Sequence, residues 1–281
     1  MTKKSKRESR RRIFDRAYNV YAFLMFTFLY IPVVVMIVFS FNNSRNNTIW
    51  EGFTTDWYGV LFEDADIWII LGTTLIIAII STILAVVIGT LGAVGMSKAK
   101  FIGKTFTATI LYIPIVIPEI VLAVATLLVV RQGGIGLGLV AMILGNTTLI
   151  LPYVFITVKS RLAGMDPSIE EASLDLGADR GYTFVHVTIP AILPAIVSGG
   201  FMAFTLAVDD LIISNFLANA ETVTLPIKIY SQLRRGINPE INAISTLILL
   251  AFFICIGFFL LASRIREGRK RRLEQADDAE I

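Results

Sequence analysis

Long apolar runs alternate along this chain with short charged segments. Six runs stand out, at about Tyr18–Phe41, Ile67–Met96, Phe106–Val130, Gly136–Val158, Pro190–Leu217 and Ile241–Ser263. Each is long enough to cross a bilayer core of about 30 Å as a helix rising about 1.5 Å per residue. In lipid the backbone must satisfy its own hydrogen bonds, so such runs become helices. A barrel needs alternating polarity, and runs such as Leu75–Ile80 do not alternate. The pattern predicts an all-α integral membrane protein with six transmembrane helices over residues 18–263. A basic segment at 1–17 precedes them and a charged tail at 264–281 follows.

Composition agrees. The chain is 55% hydrophobic and 17% charged, with a mean hydropathy of +0.73. Its net charge of +3 could point to nucleic acid, but the basic residues cluster beside apolar runs, which marks orientation in a membrane instead. Of the 25 Lys and Arg, eight precede the first run, three lie at Lys98, Lys100 and Lys104, three at Lys159, Arg161 and Arg180, and six in the tail from Arg264. Only five fall on the opposite side, where the loop 42–66 is net acidic. Both termini are therefore expected in the cytoplasm. The basic start resembles a signal peptide, but its apolar stretch is too long for one, so an uncleaved first span is expected. Cys255 is the single cysteine, which excludes an internal disulfide and a cysteine-rich metal site.

The longest cytoplasmic loop, about 159–189, is the most informative. Asp166-Pro167 reads as an N-cap followed by proline at the first helical position. Ile169, Ala172, Ser173 and Leu176 recur at helical spacing on one face, Glu170, Glu171 and Asp175 lie off it, and Gly177 is a natural stop. An interfacial helix is usually rich in Lys and Arg, whereas this one is acidic.

Glu171-Ala172-Ser173, Gly177, Val187, Ile189 and Pro190 together resemble the signature loop of permeases in binding-protein-dependent ABC importers. Ser173, Val187 and Ile189 depart mildly from that signature. The resemblance runs from about the first span to Arg264 and is nearest to the second permease subunit of spermidine/putrescine importers. It is carried by Phe41–Ser44, Trp50–Thr55 and Trp57-Tyr58, by Val208–Asp210, and by Leu225–Ser231 with Gly236, Pro239-Glu240 and Asn242-Ala243. It implies a type I ABC importer permease (MetI-like) fold that carries polyamines and hydrolyses no ATP itself. Its implied partners are a homologous permease subunit in a heterodimer, an ATP-binding cassette ATPase dimer and an extracytoplasmic substrate-binding protein. It also implies that Glu170, Glu171, Ala172, Ser173, Gly177 and Pro190 belong to a coupling helix and its surroundings.

Carboxylates inside spans are costly and mark function by default. Glu119 follows Pro118, where Pro114 and Pro118 break the third run, and Asp209 and Asp210 lie toward the outer third of the fifth. They are candidates for a polyamine pathway, with Tyr112, Phe201 or Phe204 adding cation–π contacts. Between Leu225 and Tyr230, apolar Leu225, Ile227 and Ile229 alternate with Pro226 and Lys228, as in a half-buried extended segment. This segment is expected outside, against the binding protein.

Other signals carry little. Gly103-Lys104-Thr105 ends like a phosphate loop, but Lys98 stands where its first glycine belongs. His186 is the single histidine and has no ligand cluster in the sequence, so neither cofactor nor metal is expected. The glycosylation patterns at Asn42, Asn46 and Asn146 should stay unmodified in a bacterial membrane protein. Two alternatives stay open: a permease of the same family for another solute, and a secondary transporter working without an ATPase.

Overall fold

The computed structural model describes residues 3–44, 49–98, 102–235, 239–254 and 257. Among the described residues it is all-helical, with one isolated bridge between Asn42 and Phe53. The chain forms two compact units. One is Ala65–Ser231; the other combines the residues through Asp64 with those from Gln232 onward.

In the second-named unit, helix α1 (Lys3–Phe39) carries the first apolar run, whose side chains stay open to the surroundings along its length. After it the chain folds back on Asn42, which is fully buried. Its side chain accepts from the Glu51 N–H at 2.9 Å and donates to the Ile49 carbonyl at 2.7 Å. Trp57 donates its indole N–H to the Asn42 carbonyl at 2.8 Å, and Phe41 stacks on Phe53. Asn42 is thus spent inside its own turn, which removes it as a modification site. Helix α2 (Asp56–Glu63) follows.

The Ala65–Ser231 unit is built on three long helices: α3 (Ala65–Lys98), α6 (Leu139–Ala163) and α9 (Ile189–Asp209). Small residues let them approach closely. A Cβ on Gly89 would lie 3.1 Å from Val154 Cβ, and one on Gly199 would lie 3.4 Å from Val154 Cα. Ala85, Ala93, Ile150, Phe155, Ile192 and Ala203 fill the shared core.

Three expectations need correction here. The third run is not one straight span but α4 (Lys104–Val116) and α5 (Glu119–Gln132), bent by 113°. Proline at 118 removes a donor and pushes Ile117 to an extended conformation, ψ 137°. The fifth run is also interrupted. Helix α9 ends at Asp209, Asp210 is extended with ψ 115°, and the short α10 (Ile212–Leu217) restarts the chain. Last, Leu225–Tyr230 is helical, the start of α11 (Leu225–Arg235). A five-residue alternation cannot separate strand from helix, and proline in a first turn costs no hydrogen bond. The sixth run appears as α12 (Pro239–Ile254); its remainder lies outside the described residues. Among the described residues, four helices are long and apolar enough to cross a membrane, or five if the bent pair counts as one.

Candidate functional site

Two groups of side chains at opposite ends of α9 carry the chemistry singled out in the sequence. The first is the loop helix α7 (Ser168–Asp175). Asp166 Oδ1 accepts the Ser168 N–H at 3.0 Å, and that bond, reinforced by the Ser168 side chain, holds the Asp166 carboxyl below its ordinary range. At the other end Gly177 has φ +88°. Its N–H reaches the Leu174 carbonyl at 2.9 Å while the Ala178 N–H reaches the Ser173 carbonyl at 3.2 Å. This is a Schellman stop, which needs a left-handed residue at the glycine.

The stripe of Ile169, Ala172, Ser173 and Leu176 is divided between the two sides of α7. Ile169 and Ala172 are exposed, and Leu176 just past the helix is 89% exposed, whereas Glu170 and Ser173 point toward the protein. The reason is what they meet. Glu170 Oε1 accepts from Thr188 Oγ1 at 2.5 Å and pairs with Lys98 Nζ at 2.9 Å. Ser173 Oγ lies 3.0 Å from Thr183 Oγ1. Helical periodicity finds a stripe but cannot say which stripe faces a polar neighbour. Burial opposes ionisation of Glu170, but the hydrogen bonds from Thr188 and Lys98, with the lysine charge, hold its carboxyl below the usual range. Glu171 is exposed. After α7, a four-residue turn of helix, α8 (Arg180–Thr183), runs into a π-helical turn, Phe184–Thr188, and on into α9. Pro190, which has no N–H to donate, directly follows the π-helical turn in the continuous run of helix into α9.

The second group surrounds the break at the far end of α9. Asp210 is 5% exposed. Its carboxylate accepts four hydrogen bonds: Ile213 N–H at 3.0 Å, Ser214 N–H at 2.8 Å, Ser214 Oγ at 2.6 Å and Asn146 Nδ2 at 3.1 Å. It therefore caps α10 and ties it to α6. Asn146 is fully buried, and its Oδ1 has no hydrogen-bond partner. Glu119, the first residue of α5, lies near Asp210 and Asp209. Asp209 is exposed. Both helix breaks thus bring their carboxylates together.

Of the expected aromatic residues, Tyr112 and Phe204 pack partly buried against the main core. Tyr112 already holds a cation: Lys159 Nζ is 3.3 Å from its hydroxyl and 5.5 Å from its ring centre, and 5.4 Å from the Phe155 ring centre. In α11, Leu225 is buried and donates its N–H to Thr74 Oγ1 at 2.8 Å. Pro226 and Lys228 are half-buried and Tyr230 is exposed. Sequence reasoning missed Asn146, Lys98, Thr188 and Lys159. Asn146 had a visible signal as an amide inside an apolar run; the others had none.

Residues 85–271 match the family of binding-protein-dependent transport system inner membrane components. The putrescine transport system permease protein PotI of Escherichia coli is 38% identical over 262 residues, covering 90% of this chain and 93% of that protein. The spermidine/putrescine transport system permease protein PotC of Escherichia coli is 36% identical over 232 residues, covering 83% and 88%. Among solved structures, a bacterial ABC transporter involved in the import of the acidic polysaccharide alginate aligns with a TM-score of 0.70 at 16% identity, over 88% of this chain and 95% of that one. The MetNI methionine ABC transporter aligns at 0.58 and 22%, over 69% and 94%. The fold is that of ABC importer permeases, and the chain belongs to the family of inner-membrane components of binding-protein-dependent transport systems.

Proposed function

We propose that this chain is the polyamine-conducting permease subunit of an ABC importer, with six spans over 18–263 and both termini, 1–17 and 264–281, in the cytoplasm. The excess of Lys and Arg on one side supports this orientation. A homologous permease completes the pathway, an ATPase dimer supplies the energy, and an extracytoplasmic binding protein delivers the substrate. The relatives named above carry putrescine or spermidine and putrescine in their names.

The observation that supports the substrate reading is that the two helix breaks bring Glu119 near Asp209 and Asp210, with Asp210 bonded to Asn146, whose Oδ1 has no partner. An ammonium entering a low-dielectric cavity loses hydration, and fixed negative charge with a spare acceptor offsets that cost. Asp210 is occupied in holding the break, so Asp209 offers the charge, with Glu119 in support. Tyr112 and Phe204 add cation–π contacts, and a polyamine reaching Tyr112 displaces Lys159. Uptake of radiolabelled putrescine and spermidine by cells with equal amounts of membrane-inserted protein tests this. Asp209→Asn and Glu119→Gln should lower uptake about tenfold each, as loss of a charge-assisted contact implies. Wild-type rates in the double variant would place the route elsewhere.

The exposed face of α7, with Ile169, Glu171, Ala172 and Leu176, docks on the ATPase, and Gly177 sets the angle at which it leaves. Outside, Pro226, Lys228 and Tyr230 of α11 meet the binding protein, with Leu225 anchoring the helix beneath. Crosslinking from Lys228 in the assembled complex tests that contact, and consistent failure to reach the binding protein rules it out.

A further inference from the structure

Helix α7 has eight residues, too few to be stable without tertiary support. Its apolar side chains are exposed, so among the described residues no apolar core holds it either. Polar ties do. Two of them, Glu170 to Thr188 and Ser173 to Thr183, reach the segment that directly follows α7 in the chain. The ion pair with Lys98 is different in kind, because Lys98 is the last residue of another spanning helix, α3.

One carboxylate oxygen therefore joins three elements. Lys98 stands at the C-terminus of α3, where a cation is favoured by the helix dipole. Its ammonium also lies 6.0 Å from the ring centre of Phe184, the first residue of the π-helical turn. Thr188, fully buried, is the last residue of that turn. A π-turn holds an extra residue and is a place where a helix can change register. Glu170 thus grips the turn at its far end while Lys98 touches its near end.

We infer that Glu170 is a positioning residue that transmits displacement of α7 to α3 and α9 together. This rests on the reading of α7 as the docking helix, but adds to it an inward tie distinct from the outward face that meets the ATPase. Without the tie, α7 remains joined to α9 through the chain and loses its grip on α3. ATP hydrolysis then continues while less of the motion reaches the core shared by α3, α6 and α9.

The test uses the assembled transporter with its ATPase and binding protein, co-purified through a tag on the permease and reconstituted in liposomes. The readout is radiolabelled putrescine carried per phosphate released. Glu170→Gln and Lys98→Met should each lower this ratio about tenfold, the scale of a lost charge-assisted hydrogen bond. The reversed pair, Lys98→Glu with Glu170→Lys, should recover part of the loss, which a general packing defect does not allow. Unchanged ratios in both single variants, or a reversed pair no better than the singles, would overturn the inference. A separate arm places Leu176→Cys on the outer face and asks for a crosslink to the ATPase. Failure of that crosslink overturns the docking reading of α7 itself, and this tie with it.

Discussion

The two ends of α9 are both held by a carboxylate, but in opposite ways. At one end Asp210 is buried and bonded to neutral donors: two backbone N–H groups, a serine hydroxyl and an amide. At the other, Glu170 is partly open to solvent and bonded to a cation and a threonine. A buried carboxylate with four neutral donors is expensive to disturb, because each donor left behind loses its partner in a dry place. A partly exposed ion pair is weaker, is screened by salt, and can be remade. The first arrangement suits a fixed break in a helix. The second suits a tie that is loaded and released.

The largest effect should come from Asp210→Ala. It strands the Ile213 and Ser214 N–H groups and the Asn146 amide, and should cost about 3–5 kcal/mol, read as thermal unfolding of the solubilised protein. Its exposed neighbour is the control: Asp209→Asn should change stability by less than about 0.5 kcal/mol. Equal losses in the two variants would erase the contrast between holding a break and facing a pathway.

Next in size is a test of the packing that supports the Asp210 end. A methyl group on Gly145 would meet Leu217 Cδ1 at 2.5 Å and Ile213 Cγ2 at 2.6 Å. Gly145→Ala should therefore push α10 from α6 and cost about 1–3 kcal/mol. Wild-type stability in that variant would mean that α10 is loosely seated and that Asp210 alone holds it.

At the Glu170 end, Gly177→Val meets no steric obstacle but must adopt φ +88°, at about 1–2 kcal/mol. Since the outer face of α7 is exposed, that strain should leave the core intact. Membrane insertion and core stability should stay unchanged while ATP-coupled uptake is lost. Normal coupled uptake would show that the exit angle of α7 does not matter.

The smallest effect concerns pH. The Glu170 carboxyl is held below its ordinary value, about 4.3 for a free glutamate. A depressed acid contributes stability above its unfolded value and loses it as pH falls through the folded one. The tie should therefore be unchanged from neutral pH down to about 5, and open only in stronger acid. Hydrogen exchange of α7 amides, corrected for intrinsic rates, should be flat over that range. Acceleration already at mildly acidic pH would mean that Lys98 contributes little.

Much of this was legible before any fold was known. The apolar runs located α3 and α6 to within a few residues, and Asp166, Pro167 and Gly177 bounded α7 at both ends, because caps and stops are local chemistry. Pro118 announced the break in the third run, though not its 113° angle, whereas Pro114, also expected to break it, lies inside α4. The segment 225–230 was misjudged as extended, because five alternating residues carry both periods.

The sequence by itself determined what each segment must be: helical where the bilayer leaves no other way to satisfy the backbone, capped where Asp precedes Pro, stopped where only glycine tolerates the dihedral. Tertiary structure alone decided who meets whom. Asp209 and Asp210 are chemically alike neighbours, yet one is exposed and the other holds α10 to α6, because the chain turns extended between two helices at that point. Glu170 and Glu171 divide in the same way, one inward to Lys98 and Thr188 and one outward. Local pattern specifies the periodicity of a helix, but the face that turns inward depends on groups brought in from distant parts of the chain, and those are set by packing.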